Sequence, residues 1–199
     1  KQVADFMEDD ILVVHQVFNA DEVEIMDNAF DGLEHFSNSE KELMNKGARF
    51  KFLTASTQAE SKLEYVDSCG LIDEELNDFS LDPRLLRMAR QLLQTSTADH
   101  WLNRGVYSLP SNCSWLSLEG QVQKLIIFII AVEDLQLHAT NNSKCFWTLR
   151  KGDVATCTLP LLKTLEYFGR SLVNAFSTNS GSRLNDTNVE NRCIELPPY

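Results

Sequence analysis

The side chains in this sequence that could do chemistry are few, and their spacing limits what they can do. Its four histidines are His15, His35, His100 and His138, with none after that. None makes an H-x-D or H-x-E step, the spacing that puts an imidazole and a carboxylate on one side of a strand. The acid pairs Asp9-Asp10 and Glu133-Asp134 could suit a cation, but neighbouring strand residues face opposite ways. Both pairs are read as strand-end solvation. His15 is read as hydrogen-bonded and half-buried on a first strand, and His100-Trp101 as partly buried in a core or interface. The five cysteines, Cys69, Cys113, Cys145, Cys157 and Cys193, form no C-x-x-C pair and are odd in number. That fits reduced thiols in the cytoplasm better than a disulfide framework. Cys145 and Cys157 read as small apolar fillers in strands. The sequons at Asn112, Asn141 and Asn185 are taken as chance.

Composition narrows the function classes. A length of 199 residues with 43% hydrophobic and 24% charged residues predicts one soluble, well-packed domain. The net charge of −11 argues against nucleic acid and acidic membrane surfaces, which need clustered lysine and arginine. The longest apolar run, Leu125 to Val132, is too short to span a bilayer. Asp5, Glu8, Asp9 and Asp10 crowd the first residues, which is unlike a secretory leader.

Elements that must position these side chains are marked unevenly. Ile11 to Val17 is β-branched and predicts a strand. Asn19 and Glu22 have capping-box spacing, with Phe18 and Val23 at the staple positions. Val23, Met26, Phe30 and Leu33 then share a helical face. Phe50 to Ala55 suggests a short strand and Tyr65 to Leu76 a helix. Asp82-Pro83 opens another helix, with Leu85, Met88 and Leu92 as its buried stripe. Gln121 to Asp134, Cys145 to Arg150, Asp153 to Leu159 and Ser171 to Phe176 read as strands, with a turn at Lys151-Gly152. Helices first and strands after is an α+β order.

Several of these segments together resemble the phytanoyl-CoA dioxygenase family of Fe(II)/2-oxoglutarate oxygenases. Phe6 to Val14 is similar to that family's F-x-x-D-G-hydrophobic strand, with Asp10 in place of glycine. Arg49 to Thr54 and Asp82 to Leu86 resemble the next blocks. Gln121 to Asp134 is similar to the strand before the family's "PGSH" segment, and Leu149 to Val154 to its R-K-G-D strand. Ser171 to Pro198 resembles the closing strands of members acting on fungal meroterpenoids. The resemblance implies a double-stranded β-helix, or jelly-roll barrel, flanked by helices. It would form a single domain over residues 1–199, helical to about residue 100 and strand-rich from about 101.

The resemblance also implies what is missing. Family members hold iron with an H-x-D/E pair and a later histidine. The first block should fall near Ser108 to Trp115, which has no histidine, and the later histidine falls at Lys163. A lysine ammonium has no lone pair for a metal. No catalytic or metal-binding residue is therefore assigned. Arg170 is the best match to the arginine that grips 2-oxoglutarate, with Arg183 as rival and a surface salt bridge as the alternative role. The expectation is a non-catalytic subunit that binds no cofactor itself. It would pair as a heterodimer with an intact homologous oxygenase carrying Fe(II), 2-oxoglutarate and most of the small-molecule substrate. Two alternatives stay open. One is an active oxygenase whose ligand loops lie outside this sequence. The other is a metal-independent isomerase or cyclase using Glu119, Tyr107 and Lys163 as acid–base groups.

Overall fold

The capping box forms as its spacing predicts. In this computed structural model, which describes residues 6, 7, 10–40, 44, 45, 47–52, 62–109, 125–140 and 146–178, the Asn19 amide donates to Glu22 Oε2 at 2.8 Å. The Glu22 amide returns a bond to Asn19 Oδ1 at 3.0 Å. Helix α1 (Ala20–Glu40) starts there, and Phe18, Val23, Met26, Phe30 and Leu33 are all buried. Two short helices follow, α2 (Glu74–Ser80) and α3 (Pro83–Leu93). Asp82 Oδ1 caps α3 by accepting from the Arg84 amide at 2.7 Å. Arg84 then ties α3 to the start of α1. Its guanidinium lies 4.3 Å from the Phe18 ring centroid and donates to Val17 O, Glu22 and Asp82.

Among the described residues, ten strands accompany these helices. They are β1 (Ile11–Val14), β2 (Met44–Asn45), β3 (Ala48–Phe52), β4 (Leu63–Asp67), β5 (Asp99–Leu109), β6 (Leu125–Ala131), β7 (Leu135–Ala139), β8 (Phe146–Leu149), β9 (Val154–Thr158) and β10 (Leu165–Ser177). A one-turn helix α4 (Leu159–Leu162) links β9 to β10. All pairings are antiparallel. The large sheet runs β1-β9-β6-β10-β5-β4-β3-β2, while β8, β7 and the first residues of β10 form a small second layer. Strands from the first hundred residues are thus interleaved with those from the second. One core lies between the large sheet and the helices, and includes Met26, Phe30, Phe128 and Leu172. The other lies between the two sheet layers, and includes Ile129, Leu137, Tyr167 and Val173. The expected jelly-roll layering is present.

Local departures have physical causes. The segment Tyr65 to Leu76, expected to be helical, instead holds the end of β4, a 3-10 turn at Cys69–Leu71 and the start of α2. Asp73 Oδ1, accepting from the Leu76 amide at 3.0 Å, starts α2 late. Strand β1 ends at Val14, and residues 15–18 form a turn. The expected central strand is described from Leu125 and ends at Ala131, because Val132 to Asp134 turn the chain into β7. Its first residues, 121–124, lie outside the described segments, as does Cys145.

Asp153 holds that end of the sheet together. Its carboxylate accepts from the Gln16 amide at 2.8 Å and the Arg150 amide at 2.9 Å, and meets His15 Nδ1 at 2.9 Å. Burial alone would raise its pKa. The Arg150 amide, the His15 ring and the Gln16 amide outweigh burial and hold it below the usual carboxylate range. A depressed folded pKa adds stability above the unfolded pKa, and that stability is lost as pH falls through the folded value. Asp153→Asn is expected to destabilise the fold by about 1–3 kcal/mol at neutral pH. In denaturation curves the gap from wild type should narrow below about pH 4; a gap constant with pH would contradict the assignment.

Candidate functional site

The inner face of the large sheet, turned toward the small layer, changes character along the strand order. The register sets Val13, Ala155, Ile129, Val173, Arg104, Asp67 and Arg49 side by side in one row. The adjacent row carries Ala131, Ser171, Val106, Tyr65 and Lys51. The half built by β1, β9 and β6 is apolar, and its inner residues are buried or partly buried in the inter-sheet core. The half built by β3, β4 and β5 is charged.

Arg104 sits where these halves meet and is only 3% exposed. Its Nε donates to Asp67 Oδ1, and its guanidinium carbon lies 4.2 Å from the centroid of the Tyr65 ring. Carboxylate pairing and ring stacking together compensate for burying the charge. Arg49 and Lys51 are on the same face and exposed, while the intervening Phe50 packs into the helix-side core. Glu64, buried beside them, has its pKa raised by desolvation, which the charges of Lys51 and Arg104 only partly offset. Tyr167 and Ser171 share a 2.6 Å hydroxyl contact further along the face. This wall can hold an anionic group between cations. It was not foreseen in the sequence, because alternation places Arg49, Lys51, Asp67 and Arg104 on one face only once β3, β4 and β5 are known to be neighbours.

Arg170 lies on the opposite side. Ser171 and Val173 face the inter-sheet core, so by alternation Arg170 and Leu172 face the helices. Its guanidinium reaches Asp27 at 2.7 Å, Asp31 at 2.6 Å and Glu34 at 3.2 Å, all on α1. These carboxylates hold it more firmly protonated although burial opposes them. In this position Arg170 joins α1 to β10 through a salt-bridge cluster. Arg183 and Glu119 lie outside the described residues, as does most of the Ser108 to Trp115 block.

Tyr107 also faces the helices. Its hydroxyl donates to the Phe30 carbonyl at 2.7 Å, and burial pushes its pKa up. Lys163 closes α4 as its C-terminal cap, with its amide donating to Leu159 O. Both described cysteines, Cys69 and Cys157, are buried free thiols pushed up to about 12 by burial. Neither is poised as a nucleophile.

All four histidines are described, and none is on the inner face. His15 is in the turn after β1, bonded to Asp153. His35 is exposed on α1. His100 faces the helix-side core, against the Phe176 ring and Asn174 Oδ1, and burial lowers its pKa. His138 is on the outer side of the small sheet, stacked on Phe146 and bonded to Glu166. Among the described residues no group of three His, Cys, Asp or Glu side chains could hold a metal ion.

No family model matches the sequence, and no curated protein does. Solved structures do. AviO1 from Streptomyces viridochromogenes Tue57 has a TM-score of 0.68 at 12% identity, with 92% of this chain and 96% of that one covered. SnoN, a non-heme alpha ketoglutarate dependent epimerase from nogalamycin biosynthesis, has a TM-score of 0.61 at 12% identity, covering 88% of this chain and 81% of its own. EctD from S. alaskensis, solved with bound Fe, has a TM-score of 0.62 at 14% identity, covering 88% and 75%. The fold is that of the 2-oxoglutarate-dependent oxygenases. At these identities the likeness is one of architecture, and the cofactors of that fold must be tested on this chain's own residues. A two-histidine, one-carboxylate iron site does not fit, because the four histidines are in a turn, on α1, in the helix-side core and on the outer side of the small sheet.

Proposed function

We propose that this chain is a non-catalytic oxygenase-fold subunit. It pairs with a catalytically intact relative that supplies Fe(II), 2-oxoglutarate and most of the substrate pocket. The observation that carries the reading is the position of the four histidines, all away from the inner face. Secondary metabolism, of the fungal meroterpenoid kind suggested by the C-terminal segment, is the proposed setting. SnoN, of similar fold, belongs to nogalamycin biosynthesis. Buried, unpaired Cys69 and Cys157 suit a cytoplasmic protein. No helix among the described residues is long and apolar enough to cross a membrane.

A surface for the relative is at hand on the outer side of the small sheet. Phe146 is 63% exposed there, a large aromatic surface of the kind that interfaces cover. Co-expression with the intact relative is expected to yield a complex that survives size exclusion at micromolar concentration. Omitting this chain should lower the relative's activity or stability. An intact relative that is fully active and equally stable alone would refute the pairing.

A further inference from the structure

Strand β8 is the edge strand of the small sheet. Among the described strands it pairs with β7 alone, in a regular register from Leu135 opposite Leu149 to His138 opposite Phe146. An antiparallel ladder uses the backbone groups of alternate residues, so the other residues of β8 turn their N–H and C=O groups outward. Folded chains blunt such edges with lysine, proline, a bulge or an inward-pointing charge. The four residues of β8, Phe146 to Leu149, include none of these. Phe146 and Thr148 are exposed on its outer side, and Trp147 on its inner side is only partly buried against the inter-sheet core. Charge points the same way. The chain has 29 acidic residues and a net charge of −11, yet β7 and β8 contain no carboxylate. Two copies of an acidic chain repel each other least along such an edge.

We infer that β8 pairs edge to edge with β8 of a second copy of this chain, antiparallel about a two-fold axis at Thr148. The strand's own side chains select that occupant, because they complement one another under the two-fold. Outward residues then meet outward residues. Thr148 faces its own copy, and Phe146 faces Arg150, the exposed residue that follows β8. Threonine pairs suit a strand surface, and a guanidinium is attracted to an aromatic face. On the inner side Trp147 meets Leu149 and covers the open flank of the inter-sheet core. The pairing joins two three-stranded layers into one continuous sheet and satisfies the outward backbone groups of both edges. It concerns this chain alone. It does not depend on the pairing with a relative proposed above, which uses the outer face rather than the edge.

The test is sedimentation of the purified full chain, with no relative present, from about 1 to 200 μM. A monomer–dimer equilibrium with a dissociation constant of about 1–100 μM is expected, since one strand edge buries less than a standard interface. Thr148→Lys changes an exposed residue and should melt like wild type. Two ammonium groups meeting at the axis should weaken its dimer about tenfold or more. Thr148→Cys should cross-link two copies on mild oxidation, because side chains paired across an antiparallel ladder have Cβ atoms about 5 Å apart. Gln136→Cys is the control. Gln136 is exposed and sits opposite Thr148 on β7. Three strand spacings, about 14 Å, separate it from its own copy, too far for a disulfide. Its cross-linking should not exceed that of wild type. Three outcomes overturn the inference. These are a monomer throughout the concentration range, a Thr148→Lys dimer as tight as wild type, and Gln136→Cys cross-linking as readily as Thr148→Cys.

Discussion

Anaerobic loading of the purified chain with Fe(II) and 2-oxoglutarate is expected to leave no stoichiometric iron and no visible charge-transfer band. Non-heme iron of this fold requires two imidazoles converging with a carboxylate. His15 is occupied with Asp153, and His138 is stacked on Phe146 outside the small sheet. His100 faces the helices and His35 is exposed on α1. Moving His35, His100 or His138 inward would require unfolding α1 or breaking a strand register, and moving His15 would break its bond to Asp153. The inner face offers a metal ion Arg49, Lys51 and Arg104, which repel it, and Asp67, which is committed to Arg104. Carboxylates alone would in any case favour a hard cation over Fe(II). Metal analysis after desalting decides the matter. A result near one iron per chain, or an absorption band that appears with 2-oxoglutarate, would overturn this account.

The sequence was legible wherever a local rule carried the structure. Asn19 and Glu22 form their reciprocal bonds, and Asp82 with Pro83 opens α3. The β-branched segments at Ile11, Leu125 and Val154 became strands because burial on both faces favours such residues. Strand β5 gave no such signal. Its eleven residues, DHWLNRGVYSL, carry polar groups on both faces. Asn103 turns to the helices and accepts from the Gly70 amide, while its neighbour Arg104 turns inward to Asp67. Alternation between two polar environments looks like a loop until both partners are known. Strand β4 was obscured for a related reason. Its register shift opposite Phe52 breaks simple period-two patterning, and Asp67 reads as a helix residue when its partner Arg104 is out of sight.

Site residues were harder to read than elements, because their meaning depends on which side of a sheet they occupy. The histidine count was available from composition alone, and it already argued against a triad. Arg170 shows what motif matching omits. Sequence order puts it near the family's co-substrate arginine, yet alternation from Ser171 and Val173 turns it toward three acids on α1. Those acids are more than a hundred residues away in sequence, so no local pattern links them to Arg170. The inner wall is likewise assembled from three strands whose adjacency is purely tertiary.

Gly152→Ala is expected to cause the largest loss of stability of any small substitution in the described fold. Gly152 has a φ of +85°, where an L side chain is strained. A Cβ there would come within 2.1 Å of the Phe18 carbonyl oxygen and 3.1 Å of its carbon. Backbone cannot move aside as a side-chain tip can. The approach is close because the Phe18 amide donates to Gly152 O at 3.0 Å, while the Gly152 amide donates to Ala131 O at 2.9 Å. One residue therefore fastens the start of α1 and the β8–β9 turn to the large sheet. Conformational strain and the opening of this junction together should remove about 3–5 kcal/mol. That is comparable to the whole stability of a marginal domain, so much of the variant should be unfolded or insoluble. Gly32→Ala is the matched control. It lies in α1 with nothing within 4 Å of a new Cβ, and should gain about 0.5–1 kcal/mol from helix propensity. Urea midpoints of the two variants should move in opposite directions from wild type. A Gly152→Ala midpoint within error of wild type would mean that the turn before α1 does not rest on the β8–β9 turn, and the Asp153 hydrogen bonds built on the same junction would be wrong with it.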